Sequence, residues 1–292
     1  MKYFFNIFFK FIKKFFRCFV KSIKDTVDHD GIEHAGYLSF LLMLSIFPFL
    51  FFLMAIITFI IPINLSEQII NSIANSANMT FENLIYFLKP TITEITKTPP
   101  HSLLTLAVFS AIWTASSIFE AIRTILNKSN RIFKPPSYLF RRFISIVEFI
   151  VIIFFTILIM FFFGIFPSLI SDIAIRFNIT NYYYYISFEQ ETKLLRDIII
   201  LCYGFFLLYF LYYFLPNKKQ KFSNTLPGIF LVLIFWNWFT QIFKYYISTF
   251  SQLNVIYGSI VGVIIALLYF YFCSIIFIFG AEFNYNYYNT KK

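Results

Sequence analysis

Acidic residues are scarce in this chain: Asp and Glu together number 14 among 292 residues, against 24 Lys and Arg. Histidine and cysteine are scarcer, with three of each, and glycine stops at eight. These shortages exclude a good deal of chemistry. Cys18, Cys202 and Cys273 share no close spacing, so neither a disulfide framework nor a zinc pattern follows. Cys202 and Cys273 sit inside apolar runs, where a thiol behaves as a small hydrophobe. No Gly-rich phosphate loop, Gly-x-Ser-x-Gly elbow or Cys-x-x-Cys pair is present. Only 13% of residues are charged, which excludes disorder. The 45 Phe and 20 Tyr suit lipid-facing and interfacial positions, and an A/T-rich coding bias would produce the same excess.

Uninterrupted apolar sequence is what the chain has instead. Six long runs stand out: Ala35–Ile61, Ser102–Phe119, Phe143–Ile170 (with Glu148 alone charged), Ile198–Leu215, Phe222–Phe243, and a last one within the uncharged stretch ending at Ala281. A helix needs ~20 apolar residues to cross ~30 Å of hydrocarbon at 1.5 Å per residue. A soluble chain of 292 residues has too little polar sequence to cover six such rods. The expected fold is all-α: a polytopic membrane protein of six transmembrane helices, spanning about 36–61, 102–122, 143–170, 198–215, 226–247 and 255–281. Residues 1–34 form a basic segment before this domain, which covers 35–284, and 285–292 form a short tail.

Basic residues divide unevenly among the connections. Eighteen lie before the first span, after the second, after the fourth and at the C-terminus, while five lie in the remaining connections. The positive-inside rule then places both termini in the cytoplasm, as an even number of spans requires. The first segment lacks the uninterrupted apolar core and cleavage site of a secretory signal. Lys10, Lys13, Lys14, Arg17, Lys21 and Lys24 recur every three or four residues, with Phe5, Phe8, Phe9, Ile12, Phe15, Phe16, Phe19 and Ile23 between them. That period predicts an amphipathic helix lying in the interface, its cations on anionic head groups; an aid to insertion is the alternative. The connection 62–101 carries two short helical patterns, and Tyr182–Tyr185 suit the aromatic belt.

Candidate chemistry is sparse. Asp25, Asp28, His29, Asp30, Glu33 and His34 cluster before the first span. Juxtamembrane charges are usually solvated, and no catalytic group, metal site or cofactor is assigned here. Asn237, Gln241 and Lys244 fall on one stripe of the fifth span, within about 60° of arc. They suit hydrogen bonding between helices, with Lys244 snorkelling, or a polar pathway. Gly258, Gly262 and Ala266, and likewise Ala107, Ala111 and Ala115, form small-residue ridges that let helices approach. Pro48 and Pro227-Gly228 predict local breaks in the helical ladder.

Taken in order, several stretches resemble the YihY/BrkB family of bacterial inner-membrane proteins. They are Ser45-Ile46-Phe47-Pro48, Ala115-Ser116-Ser117 through Leu126-Asn127, Leu215-Pro216 through Leu226-Pro227-Gly228, Tyr257-Gly258-Ser259, and Gly280-Ala281-Glu282-Phe283-Asn284. The resemblance implies a multi-pass protein with six helices in the cytoplasmic membrane. It also brings associations with virulence and serum resistance, with movement of lipid precursors, and an older label of ribonuclease. The residues argue against a nuclease, since Asp25–His34, Glu120 and Glu282 are far apart in sequence. Two functions are therefore expected: transport of a lipid or other amphipath, or a non-transporting envelope scaffold. Neither is an enzyme. Membrane lipids with anionic head groups are the expected partners, nucleic acid is not, and a homo-oligomer is left open.

Overall fold

The structure, a computed structural model, describes residues 2–60, 101–132, 136–160, 198, 201–218, 221–249 and 260–289. The described residues form helices and no strand. In chain order they are α1 (Lys2–Asp28), α2 (Gly31–Ile60), α3 (His101–Ser129), α4 (Tyr138–Met160), α5 (Leu201–Phe214), α6 (Phe222–Thr249) and α7 (Ile260–Asn289). The expected helices of 62–101, the tyrosines 182–185, and Tyr257 and Gly258 lie outside the described residues.

Phe222–Ile247 and Val261–Asn289 are each long and apolar enough to cross a bilayer, and Gly31–Ile46 and Leu201–Phe214 are shorter apolar helices. In the two long segments 22% of the most apolar window is buried, whereas a core helix of a soluble protein would be mostly covered. Their remaining surface calls for an apolar surrounding.

α7 runs on to Asn289, so residues 285–289 are helical. Two expectations are corrected at the prolines. α2 continues through Pro48, and α6 through Pro227. A proline removes one helical hydrogen bond, yet neighbouring groups can re-satisfy the ladder within a membrane helix. At α6 the N–H of Gly228, the residue after the proline, donates to Asn284 Oδ1 at 2.6 Å.

The chain divides into two compact units. The first comprises Met1–Ile46, Thr114–Ser145 and Phe205–Lys292; the second comprises Phe47–Trp113 and Ile146–Gly204. In the second unit the Thr156 and Tyr203 hydroxyls lie 2.6 Å apart, joining α4 to α5. In the first unit α6 and α7 meet where both carry glycine. A Cβ on Gly280 would strike the Val232 side chain and the Tyr212 hydroxyl, and one on Gly228 would strike the Gly280 carbonyl and Asn284. Two polar side chains, one on α5 and one on α6, then bond to main-chain carbonyls of α7. Tyr212 donates to Phe277 at 2.6 Å, and the Trp236 indole donates to Cys273 at 2.9 Å. Such bonds hold where water is not available to replace them.

Candidate functional site

α3 ends in a Schellman turn: the Ile132 N–H reaches the Asn127 carbonyl at 2.8 Å, and the Arg131 N–H reaches Lys128 at 2.9 Å. The residue in the left-handed conformation is Arg131, with φ of 60°. Glycine is the usual occupant, and an L side chain there is disfavoured by about 1–2 kcal/mol. The side chain explains why an arginine holds the place. Its Nη1 lies 3.1 Å from both Glu282 oxygens, and its Nη2 lies 3.1 Å from Asp25 Oδ2. One guanidinium thus joins the acid of α1 to the acid of α7, while its face covers the Tyr285 ring at 4.5 Å.

Glu282 is buried, 1% exposed, and is the only charged residue in α7. A second cation stands beside it when His29 is protonated, Nδ1 to Oε1 at 3.2 Å, though the ring N–H is not aligned for a hydrogen bond. Asn286 extends the network, its amide donating to Asp25 at 2.9 Å and to Ser22 at 3.1 Å. At the α1–α2 junction Asp30 also adopts a positive φ, 56°, and splits the acidic cluster between two helices. Asp25 and His29 face Arg131 and Glu282, whereas Asp30 and His34 meet Lys128. The hydrogen bond and charge of Lys128 hold the Asp30 carboxyl below its ordinary range. Partial burial, followed by the charge of Lys128, pushes His34 down. Among the described residues no three His, Cys, Asp or Glu side chains are grouped as metal ligands.

A second polar knot lies in the same unit. Arg123, 2% exposed, donates to the Leu215 carbonyl at 3.2 Å, just past the end of α5. Glu120 pairs with Arg141 at 3.0 Å and stands 3.8 Å from Arg123, and Arg142 donates to Ser117 at 3.0 Å. Asn127 Oδ1 accepts the Asn217 N–H at 2.8 Å. Several cations that the sequence offered as loop charge therefore tie helices together.

Three of the stretches that carry the family resemblance meet one another here. Asn127 binds the chain just after Leu215-Pro216, Gly228 binds Asn284 beside Gly280, and Glu282 binds Arg131. Ser45 turns inward to the Leu42 carbonyl at 2.8 Å. Asn237 and Gln241 are exposed on α6, with Lys244 half-buried. Neither amide has a hydrogen-bond partner among the described residues. Ala115 is buried and Ala266 half-buried, while Gly262 is exposed and a Cβ there would meet nothing within 4 Å. The side chains of Ala107 and Ala111 lie outside the described ones. Sequence reasoning did not pick out Arg131 as a hub. The signal was a lone acid, Glu282, in an otherwise uncharged helix, which requires a cation from elsewhere.

Comparison with known proteins bears on the same stretches. The family described as Virulence factor BrkB matches residues 22–292. The chain belongs to this family. YfkH of Bacillus subtilis (strain 168), described as ribonuclease-like, is 28% identical over 265 residues, covering 90% of this chain and 92% of its own. A UPF0761 membrane protein of Haemophilus influenzae (strain PittEE) is 30% identical over 115 residues, 38% of this chain and 42% of that protein. A UPF0761 membrane protein of Vibrio vulnificus (strain YJ016) is 32% identical over 72 residues, 25% of this chain and 23% of that protein. No solved structure matches the chain. This BrkB-family chain is a membrane protein, and its family is not a known enzyme family.

Proposed function

We propose that this chain spans the bacterial inner membrane six times, with both termini in the cytoplasm, and moves a lipid or other amphipath along the outer face of α6. One observation carries the second half: Asn237 and Gln241 are exposed midway along a helix fit to cross the bilayer. An amide facing hydrocarbon without a partner is costly, and the cost falls away if water or a head group passes beside it. Trp238 and Tyr245, 68% and 75% exposed, flank the stripe with large amphipathic surfaces. The scaffold reading has its own support, because the stretches shared with the family mostly pack against each other.

Single cysteines separate the two. In a background lacking Cys18, Cys202 and Cys273, cysteines at 237 and 241 should react with small water-soluble thiol reagents in intact membranes. Replacing both residues by Leu should abolish transport while the protein stays folded. Full protection at both positions would favour the scaffold, with the amides bonded to a neighbour at ~0.6–2 kcal/mol each.

Sidedness has a test of its own, motivated by the uneven division of basic residues. Cysteines at Ser76 and Tyr184 should be labelled by an impermeant reagent from outside, and those at Gln220 and Asn289 should not. Labelling of Gln220 from outside would overturn the topology.

A further inference from the structure

α1 presents three faces, roughly 120° apart at 100° per residue. The first is docked. Phe15, Cys18 and Phe19 pack on Phe279, Phe283 and Leu231, with Phe15 5.3 Å from Phe283 and Phe19 5.1 Å from Phe279, ring centre to ring centre. Ser22 and Asn286 bond beneath them at 3.1 Å. This docking already goes beyond what an aid to insertion would need.

The second face is an apolar ridge of Phe9, Ile12, Phe16, Val20, Ile23 and Val27, all exposed; Phe16 is 66% so. Six large side chains in line along one helix form the kind of patch that marks an interaction surface. The third face is basic: Lys10, Lys13, Arg17, Lys21 and Lys24 are exposed, and Lys14 lies over the Tyr287 ring at 4.6 Å. No Asp or Glu occurs from Lys2 to Lys24. Between the basic face and α7 opens a cleft of about 120 Å³, lined by Arg17, Cys18, Lys21, Asn286 and Asn289. Arg17 and Lys21 can only donate hydrogen bonds, so the cleft's charge suits an oxyanion with several acceptor oxygens.

An apolar ridge beside a basic face is the pattern of a helix lying at a bilayer surface. The charge complement selects the occupant, since a soluble partner's groove would cover the ridge but would leave the cations Arg17 and Lys21, at the edge of the cleft, without an anion. We propose that α1 is the surface on which this protein binds anionic phospholipid, with the ridge in the acyl boundary and a head-group phosphodiester seated between Arg17 and Lys21. The proposal rests on the topology above only for the leaflet concerned, and it needs no transport activity.

The test uses the full-length protein in nanodiscs of phosphatidylcholine, alone or mixed with phosphatidylglycerol. Spin labels are placed at Val20→Cys and Lys24→Cys in a background lacking the native cysteines. In mixed discs the Val20 label should be reached by oxygen and shielded from a water-soluble nickel chelate, and the Lys24 label should show the opposite. Phosphatidylglycerol retained through detergent exchange should fall roughly tenfold in the double variant R17Q/K21Q. The pair K10Q/K13Q, with the same charge loss away from the cleft, should lose less. Nickel access at Val20 would remove the surface proposal. Equal retention by R17Q/K21Q and the unaltered protein would remove the cleft. Both measurements stand whether or not Asn237 and Gln241 line a pathway.

Discussion

Replacing Arg131 by Ala should cost about 3–5 kcal/mol, because it leaves the buried Glu282 and the partly buried Asp25 without their shared cation. The effect should appear as a large fall in the melting temperature of the detergent-solubilised protein. R131K keeps the charge but loses the planar fork that meets Glu282 and Asp25 together, so it should rescue only in part. R131G should do slightly better than R131A, by about 1 kcal/mol, since glycine relieves the left-handed backbone. The pair R131Q/E282Q should be less damaged than R131Q alone, for no acid then remains uncompensated on α7. A melting temperature of R131A equal to that of the unaltered protein would show that the network bears no load.

Gly280→Ala and Gly228→Ala should be as damaging. The new methyl on Gly280 meets the Tyr212 hydroxyl at 2.6 Å as well as Val232, and that on Gly228 meets Asn284 Nδ2 at 2.5 Å as well as a main-chain carbonyl. At Gly228 the obstacle is backbone, which cannot give way as a flexible side-chain end can, so α6 and α7 must part; at Gly280 the packed Val232 and Tyr212 side chains must shift or the helices separate. Overpacking of this kind costs about 1–3 kcal/mol. Parting the helices also breaks the Gly228–Asn284 bond, adding about 1 kcal/mol. Gly262→Ala serves as the internal control. It adds the same methyl to the same helix where nothing lies within 4 Å, and should be neutral or stabilising by up to ~1 kcal/mol. Size-exclusion profiles and thermal melts of the three variants decide it. If G280A behaves like G262A, the close approach is not what holds the two helices together.

The helices were largely legible because hydrocarbon thickness sets a length that any reader of the chain can count. α6 and α7 appear where uncharged runs of that length occur, and the basic and aromatic period of residues 2–28 appears as α1. What was not legible is how polar groups spend their bonds. Pro227-Gly228 reads locally as a break, yet α6 runs on through it, and the Gly228 N–H is paired by Asn284, 56 residues away. Arg131 reads as one more loop cation, because its left-handed backbone gives no sign in composition. Arg123 and Arg142 read the same way, yet both are buried. Asn286 is hidden among tyrosines, and its role emerges only when α1 is placed beside it. Periodicity reports which face is apolar, but it does not report which distant chain segment will cover that face.

The pairing of α1 with α7 has a consequence for biogenesis. Ser22 and Asn286 are 264 residues apart in sequence. At about 5–20 residues per second, roughly 13–50 seconds of translation separate the emergence of one from the other. Until α6 brings Leu231 and Phe235, which takes most of that interval, the phenylalanines that will meet Phe279 and Phe283 have none of these partners to cover them. A nascent helix with cations on one side and aromatics on the rest can wait on the lipid surface, parked beside the translocon. When α7 arrives, only one face has to exchange lipid for protein, and the other two stay where they are.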